Sequence, residues 1–182
     1  MVLKELQLRG VKMLASNINI YGEAGNEIDF LLDETELFER VVDIFLIGVS
    51  LGILYDLSEK NNNAETKKSM FPGVLNKESS RIKLLSTLGY LIIHDEESKL
   101  ENNELLREAF GDWYSNDEFK EKYDSMIEFG IGGIHYLYKK IIMNNATSKD
   151  EYLRNYFRLV KEIDEDKLDN LDERAILKGI RG

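Results

Sequence analysis

The sequence contains no cysteine and only two histidines, one proline and one tryptophan among its 182 residues. Without cysteine the chain forms no disulfide, thiolate zinc site or iron–sulfur cluster, and it has no thiol for catalysis. Two histidines are too few for a histidine-rich metal site. The near absence of proline permits long helices, because proline disrupts helix interiors. These shortages exclude several kinds of site and favour a helical chain.

Long hydrophobic runs are also lacking. The most apolar stretch, residues 41–57, contains Asp43, Asp56 and two glycines. It is short for a bilayer span, which takes about 20 apolar residues. The first residues do not have the basic, apolar and small-residue order of a signal peptide. We therefore expect a cytoplasmic protein without membrane contact.

Basic residues are outnumbered, with 24 Lys and Arg against 34 Asp and Glu and a net charge of −10. This balance argues against a nucleic-acid coat or a membrane-surface binder, because both need a basic face. The exception is residues 61–99, where basic side chains slightly outnumber acidic ones. Their cations are candidates for contact with a phosphate or an acidic partner: Lys67, Lys68, Lys77, Arg81 and Lys83. A solvated loop with scattered lysines is the more common explanation for these residues.

Apolar residues make up 43% of the chain, which is enough for one hydrophobic core. Apolar side chains at steps of three and four predict a mainly α, single-domain helical bundle over residues 1–182. Helices are predicted to begin near residues 33, 78, 101, 117 and 149. Residues 1–33 are predicted to be an N-terminal extension or a small β-hairpin pairing residues 17–21 with 27–30. Residues 58–77 are predicted to be a mobile basic loop.

Glycines interrupt two of the predicted helices. Gly48 and Gly52 stand four residues apart in the apolar helix, which predicts close approach of another element, with a ligand contact as the alternative. Gly130, Gly132 and Gly133 interrupt the helix predicted over residues 117–143. We expect a kink or break there.

Residues suited to catalysis are few and do not form a known motif. His94 precedes Asp95, Glu96 and Glu97, a composition that suits a divalent metal or a general base, but neighbours in sequence do not share a helix face. His135 is expected to pack or cap. We predict no catalytic residue, no cofactor and no metal site.

A nuclease-like spacing also occurs. Asp112, Glu118 and Lys120 reproduce the D-x(5)-E-x-K pattern of a nuclease metal site. That chemistry takes its residues from paired strands, whereas Glu118 and Lys120 fall at the start of a predicted helix. We therefore give this pattern no catalytic role.

The order of segments resembles a known family. The apolar sequence DIFLIGVSLG (residues 43–52) is followed by Phe71-Pro72, then by RIKLL (81–85) and EFGIGGI (128–134). This pattern over residues 35–142 resembles the small acidic proteins associated with bacterial DNA phosphorothioation (Dnd) and related phage-defence gene clusters. The resemblance implies an accessory protein acting beside a larger ATPase, nuclease or modification enzyme. It implies no catalytic residues, because it rests on apolar and glycine positions.

Three functions remain open. The first is a non-catalytic accessory subunit that binds a larger protein of a defence or DNA-modification complex, with a homo-oligomer also possible and nucleic acid contacted only through the basic loop. The second is an acidic DNA mimic that inhibits a nucleic-acid-binding protein. The third is a metal-dependent hydrolase that gathers carboxylates from different helices, such as those near His94 and Asp124. The sequence favours the first, and whether the chain catalyses a reaction stays open.

Overall fold

A computed structural model describes residues 17–61, 67–95, 107, 109–110 and 116–166. The two strands are β1 (Ile18–Tyr21) and β2 (Lys67–Met70). The helices are α1 (Gly22–Asp29), α2 (Val41–Tyr55), α3 (Pro72–Leu75), α4 (Ser79–Asp95), α5 (Asn116–Ile141) and α6 (Lys149–Asp166). A π-helical turn (Phe30–Glu34) follows α1, and short 3-10 turns follow α3 (Asn76–Glu78) and α5 (Met143–Asn145). The prediction of a mainly α fold is confirmed.

The centre of the fold is α2, which packs mainly against α5. Its side chains are buried on more than one face, as the all-round apolar pattern predicts. Phe45 and Val49 are fully buried, and so are Ile134 and Leu137 of α5. Strand β1, helices α1, α4 and α6 and the turn after α1 contribute to the same core cluster. Residues between positions 18 and 163 thus contribute to one main hydrophobic core, and Tyr90 and Ala109 form a second, smaller cluster.

The small sheet differs from the predicted hairpin. Strand β1 lies where the alternation predicts it, but its antiparallel partner is β2, with Ile18 opposite Met70. Residues 27–30 belong instead to the end of α1 and the turn after it. Ile18 and Ile20 are fully buried. Residues 17–33 are therefore part of the core and not an extension, while residues 1–16 lie outside the described chain.

The predicted start of the central helix was wrong by about two turns. Helix α2 begins at Val41, not near residue 33. The buried Thr35 hydroxyl donates to the Leu31 carbonyl (2.6 Å) and accepts from the Leu37 N–H (3.2 Å). Glu36 then adopts φ 52°, which is incompatible with a continuing helix. Side-chain competition for backbone groups therefore ends the first helical segment before α2 begins.

The predicted mobile loop is largely regular structure. Within residues 58–77, strand β2 and the short helix α3 take up most of the second half, while residues 62–66 lie outside the described chain. Asn61 holds the first half to the sheet, because its side chain accepts from Tyr21 N–H (3.2 Å) and donates to the Asn19 carbonyl (2.7 Å). A loop was predicted because β2 has three polar residues in a row, Lys67, Lys68 and Ser69, and so shows no apolar alternation.

The glycines of α5 do not break the helix, which is continuous from Asn116 to Ile141. They allow α2 and α5 to touch backbone to backbone. A Cβ on Gly133 would overlap the carbonyl of Gly48, and a Cβ on Gly48 would lie 2.8 Å from the Gly130 carbonyl oxygen. The close packing predicted for Gly48 and Gly52 is confirmed, and the glycines of α5 do not break that helix. A row of glycines on each helix takes the place that side chains normally hold between helices.

Candidate functional site

The predicted basic residues do not form one free cationic surface. Lys68 pairs with Asp29 of α1, and Arg81 pairs with Glu78 (3.1 Å). Lys77 and Lys83 are exposed, and the backbone of Lys67 lies opposite Tyr21 in the sheet. Two of the five cations are therefore neutralised by carboxylates of the chain itself, which weakens the case for phosphate binding there.

A partly buried histidine joins three segments of the chain. His135 of α5 lies with Nδ1 2.5 Å from Oε2 of Glu27, which is 5% exposed on α1. Its Nε2 lies 3.4 Å from Oε2 of Glu59, in the segment after α2. The hydrogen bond to Glu27 raises the pKa of His135 against the opposing effect of burial, and the charges of Glu59 and Glu23 act in the same direction. We call Glu27, Glu59 and His135 the histidine clamp.

The clamp connects α1, the segment after α2 and α5, and each ring nitrogen of His135 faces a carboxylate. Both ring nitrogens of His135 face carboxylates, and the two carboxylates lie on opposite sides of the ring. A metal would need these groups to converge on one point. The prediction that His135 packs or caps agrees with this geometry.

The second histidine also meets a carboxylate, but a different one from those suggested by the sequence. His94 Nε2 lies 3.0 Å from Oε1 of Glu121, close enough for an ion pair, although that nitrogen makes no hydrogen bond. Its ring stacks at 4.2 Å on Tyr90, whose face also receives the buried Lys122 ammonium at 5.2 Å. Asp124 is exposed and does not join them. Glu96, Glu97 and Asp112 lie outside the described residues.

No group of three or more His, Asp and Glu side chains is placed to hold a metal within the described ranges. Among the tyrosines of α2 and α5, Tyr55 stacks on Tyr136 with ring centroids 4.7 Å apart. Desolvation raises the pKa of Tyr55 to about 12, so its hydroxyl stays protonated at neutral pH and is no base.

An apolar groove of about 590 Å³ runs between α2 and α4. Leu46, Leu51 and Leu54 line one side, and Leu84 and Leu85 line the other. Asp43 and Arg81 supply its charged groups, and Ile163 of α6 closes part of it. Leu84 is 54% exposed, so the groove is an open apolar surface and not an interior cavity.

Helix α6 starts and is anchored through specific hydrogen bonds. Its start lies where the sequence predicts it, near residue 149, and Glu151 accepts from the N–H groups of Thr147 (2.9 Å) and Ser148 (3.0 Å), as the glutamate of a capping box does. The buried Asn155 amide donates to the carbonyls of Ile141 (2.9 Å) and Met143 (2.8 Å). These bonds satisfy carbonyls at the end of α5 that the helix itself leaves unpaired. The orientation of α6 on α5 is thereby fixed.

The outer face of α6 carries apolar side chains in water. Leu153, Phe157 and Val160 are 38%, 63% and 47% exposed. They are spaced four and three residues apart, so they form one row along the helix. The adjacent face, with Tyr152 and Leu159, is buried in the core. We call Leu153, Phe157 and Val160 the α6 apolar row.

A second row of basic side chains runs beside it. Arg154, Arg158 and Lys161 are exposed and follow the same helical spacing. Between Tyr152 and Lys161 the sequence contains no acidic residue. Arg154 and Arg158 line a pocket of about 100 Å³ together with the turn after α5. We call Arg154, Arg158 and Lys161 the α6 basic row.

The α6 surface was missed at the sequence level, although its signal is present. The sequence shows apolar residues in this helix at Tyr152, Leu153, Tyr156, Leu159 and Val160, but does not show which of them are covered. Phe157 was not included among them, and the local absence of acid in a chain of net charge −10 marks the segment as unusual. The tertiary packing decides which apolar side chains of α6 are covered, since Tyr152 and Tyr156 lie against the rings of Phe30 and Phe38.

Comparison with protein-family models, with curated proteins and with solved structures finds no match to this chain. Among the described residues, no helix is both long and apolar enough to cross a membrane. The surface of α6 and the side-chain clusters described above are therefore the observations that bear on function.

Proposed function

We propose that the chain is a non-catalytic accessory subunit that works by binding a larger protein, and that the outer face of α6 is the docking surface. The observation that carries this proposal is the exposure of the α6 apolar row beside the face of the helix that is already buried. The apolar side of α6 is thus wider than the core covers, and an uncovered apolar strip of this kind is typical of a contact with another protein.

The energetics favour covering this row. Burying a large apolar side chain contributes about 1.5–3 kcal/mol, and three such residues lie side by side here. Phe157 has the largest exposed fraction of the three, at 63%. The capping box and Asn155 hold α6 in place before any partner arrives, so little ordering of the helix opposes binding. A rigid, pre-formed apolar row suits recognition of another protein.

The biological setting of the proposal comes from the resemblance to proteins of Dnd and related phage-defence clusters. In that setting the partner is a larger ATPase, nuclease or modification enzyme of a bacterial defence or DNA-modification complex. The resemblance covers residues 35–142, whereas the α6 face lies outside it. The setting and the docking surface therefore rest on separate observations and are testable separately.

The other two functions have less support. A DNA mimic needs free carboxylates in phosphate-like rows, but several acids of this chain pair internally, as in Asp43 with Arg40 (2.5 Å) and Glu162 with Lys140 (2.5 Å). A carboxylate hydrolase needs an open cluster, whereas both ring nitrogens of His135 face carboxylates. Neither function explains the α6 apolar row.

The proposal is tested by capturing the tagged protein from its native cells after nuclease treatment. We expect a stoichiometric larger protein with wild type, and its loss with Phe157→Ser. Phe71→Ser is the matched control, because Phe71 is 61% exposed but lies before α3. Recovery of the same partner with Phe157→Ser, or of no partner with wild type, contradicts the proposal. Mass spectrometry of the partner tests the defence setting independently.

A further inference from the structure

We propose that the segment that follows α6, residues 171–180, binds as a short helix in the groove between α2 and α4 of the same chain. The groove and the α6 apolar row are different surfaces, so this inference goes beyond the proposed function and does not depend on it. Residues 167–182 lie outside the described chain. Three observations identify the segment as the occupant: the chemistry of the groove, the point where α6 ends and the sequence that follows.

The groove is apolar, and the charges beside it cancel. Its walls are mainly leucines, of which Leu84 is 54% exposed. Arg40 pairs with Asp43 (2.5 Å) and with Glu78 (3.4 Å). Arg81 pairs with the same Glu78 (3.1 Å). Since these two cations and two carboxylates already pair with one another, the groove suits an apolar helix face better than a charged ligand such as a fatty acid or nucleic acid.

The end of α6 lies at this groove. Ile163, in the last turn of α6, is one of the residues that line it. The preceding residue, Glu162, pairs with Lys140 (2.5 Å), and its charge acts on Tyr55, the last residue of α2. The chain therefore leaves α6 at the carboxyl end of α2. Residues 167–170 can extend over about 13 Å, which is enough to bring the next residues back into the groove.

The length of the segment matches the groove. Along α2 the groove extends from Asp43 to Leu54, which is about 16 Å at the rise of an α-helix. Residues 171–180 would span about 15 Å as a helix. Asp169 and Asn170 stand just before them, and both are residue types that favour the turn needed to reverse the chain.

The apolar pattern of the segment also fits the groove. Ile180 follows Ile176 by four residues and Leu177 by three, so the three side chains share one face of a helix. A short covalent tether raises the effective concentration of such a segment at its site to roughly the millimolar range. This favours the chain's own segment over the same segment of a second copy or an apolar helix of another protein.

The absence of cysteine allows a direct test by disulfide cross-linking in the full-length protein. One variant carries Leu84→Cys in the groove and Leu177→Cys in the segment, and oxidised glutathione is the oxidant. We expect a cross-linked monomer that forms about tenfold faster than with Phe157→Cys and Leu177→Cys. Phe157 is the matched control, because it is also exposed but lies on the outer face of α6. Adding Ile176→Ser and Ile180→Ser should remove the preference for the groove.

Equal rates for the two cysteine pairs overturn the inference, and so does a preference that survives Ile176→Ser with Ile180→Ser. A cross-linked dimer whose yield rises with protein concentration also overturns it, because the segment then comes from a second copy. Circular dichroism checks that each variant is folded.

Fluorescence of the dye ANS, which binds exposed apolar surface, is a second measurement that needs no cysteine. We expect Ile176→Ser with Ile180→Ser to bind more dye than wild type, because release of the segment uncovers the groove. Equal fluorescence of the two folded proteins contradicts the inference.

Discussion

Glycine residues set the distance between the two central helices. Gly133 lies against the backbone of Gly48, and Gly130 lies against the ring of Phe45, whose Cε2 would be 2.6 Å from an added Cβ. Glycine costs about 1 kcal/mol in a helix interior, so its use on both helices needs a compensating gain. The gain here is direct backbone contact between α2 and α5, which buries both helices more completely.

Replacing Gly133 with alanine should destabilise the protein by about 3 kcal/mol, because the new methyl group meets backbone that cannot rotate away. Urea denaturation followed by circular dichroism measures the change. Gly73→Ala is the control: its Cβ would have no atom within 4 Å, so its effect should stay within about 1 kcal/mol. A Gly133→Ala protein as stable as the control would show that the helices are not held this closely.

The glycine packing of α2 could be predicted from the sequence, whereas that of α5 could not. The four-residue spacing of Gly48 and Gly52 predicted close packing, because glycine in a soluble apolar helix has few other uses. The glycines of α5 carry the same meaning but were interpreted as a kink. The sequence of α5 does not show which helix it packs against. Only the structure shows that its glycines lie against those of α2.

At the scale of elements, the histidine clamp links α1, the segment after α2 and α5. Glu59 contributes twice, since its backbone N–H also donates to the Glu128 carbonyl (3.0 Å). No disulfide joins these three segments, because the chain lacks cysteine, so they are held together by non-covalent contacts. The clamp is therefore expected to determine how firmly α1 is held on α5.

This link predicts a pH-dependent stability. The bond to Glu27 raises the pKa of His135 above 6.5, so protonated His135 stabilises the folded state. That contribution is complete below pH 6.5 and declines as pH rises through the folded-state pKa. Between about pH 6 and pH 9, the free energy of unfolding should fall more for wild type than for His135→Gln. Urea titrations at each pH measure it.

Glu59→Gln is the control, because it removes the more distant and more exposed of the two carboxylates that face His135. Glu59 is 53% exposed and lies 3.4 Å from the ring, so its loss should flatten the pH dependence less than that of Glu27→Gln. Parallel curves for wild type and His135→Gln would contradict the assignment. The sequence offered no basis for this link, because Glu27 and His135 are 108 residues apart.

For the whole molecule, one core cluster includes residues from β1, α1, α2, β2, α4, α5 and α6. Elements that share one core cluster are expected to unfold in one cooperative transition. Far-ultraviolet and near-ultraviolet circular dichroism should therefore give the same midpoint in urea. Gly133→Ala should lower both midpoints together. Two separate midpoints would show that α6 or the sheet unfolds independently of the central helices.

The sequence by itself determined the mainly α fold, the buried central helix, the position of β1 and the capped start of α6. Each depends on local spacing or on hydrogen bonds between close neighbours, which the order of residues specifies directly. Only the tertiary structure decided the partner of β1, the glycine contact of α2 with α5, the histidine clamp and the exposure of the α6 apolar row. Each of these joins segments far apart in the chain, and their meeting depends on the packing of the entire core.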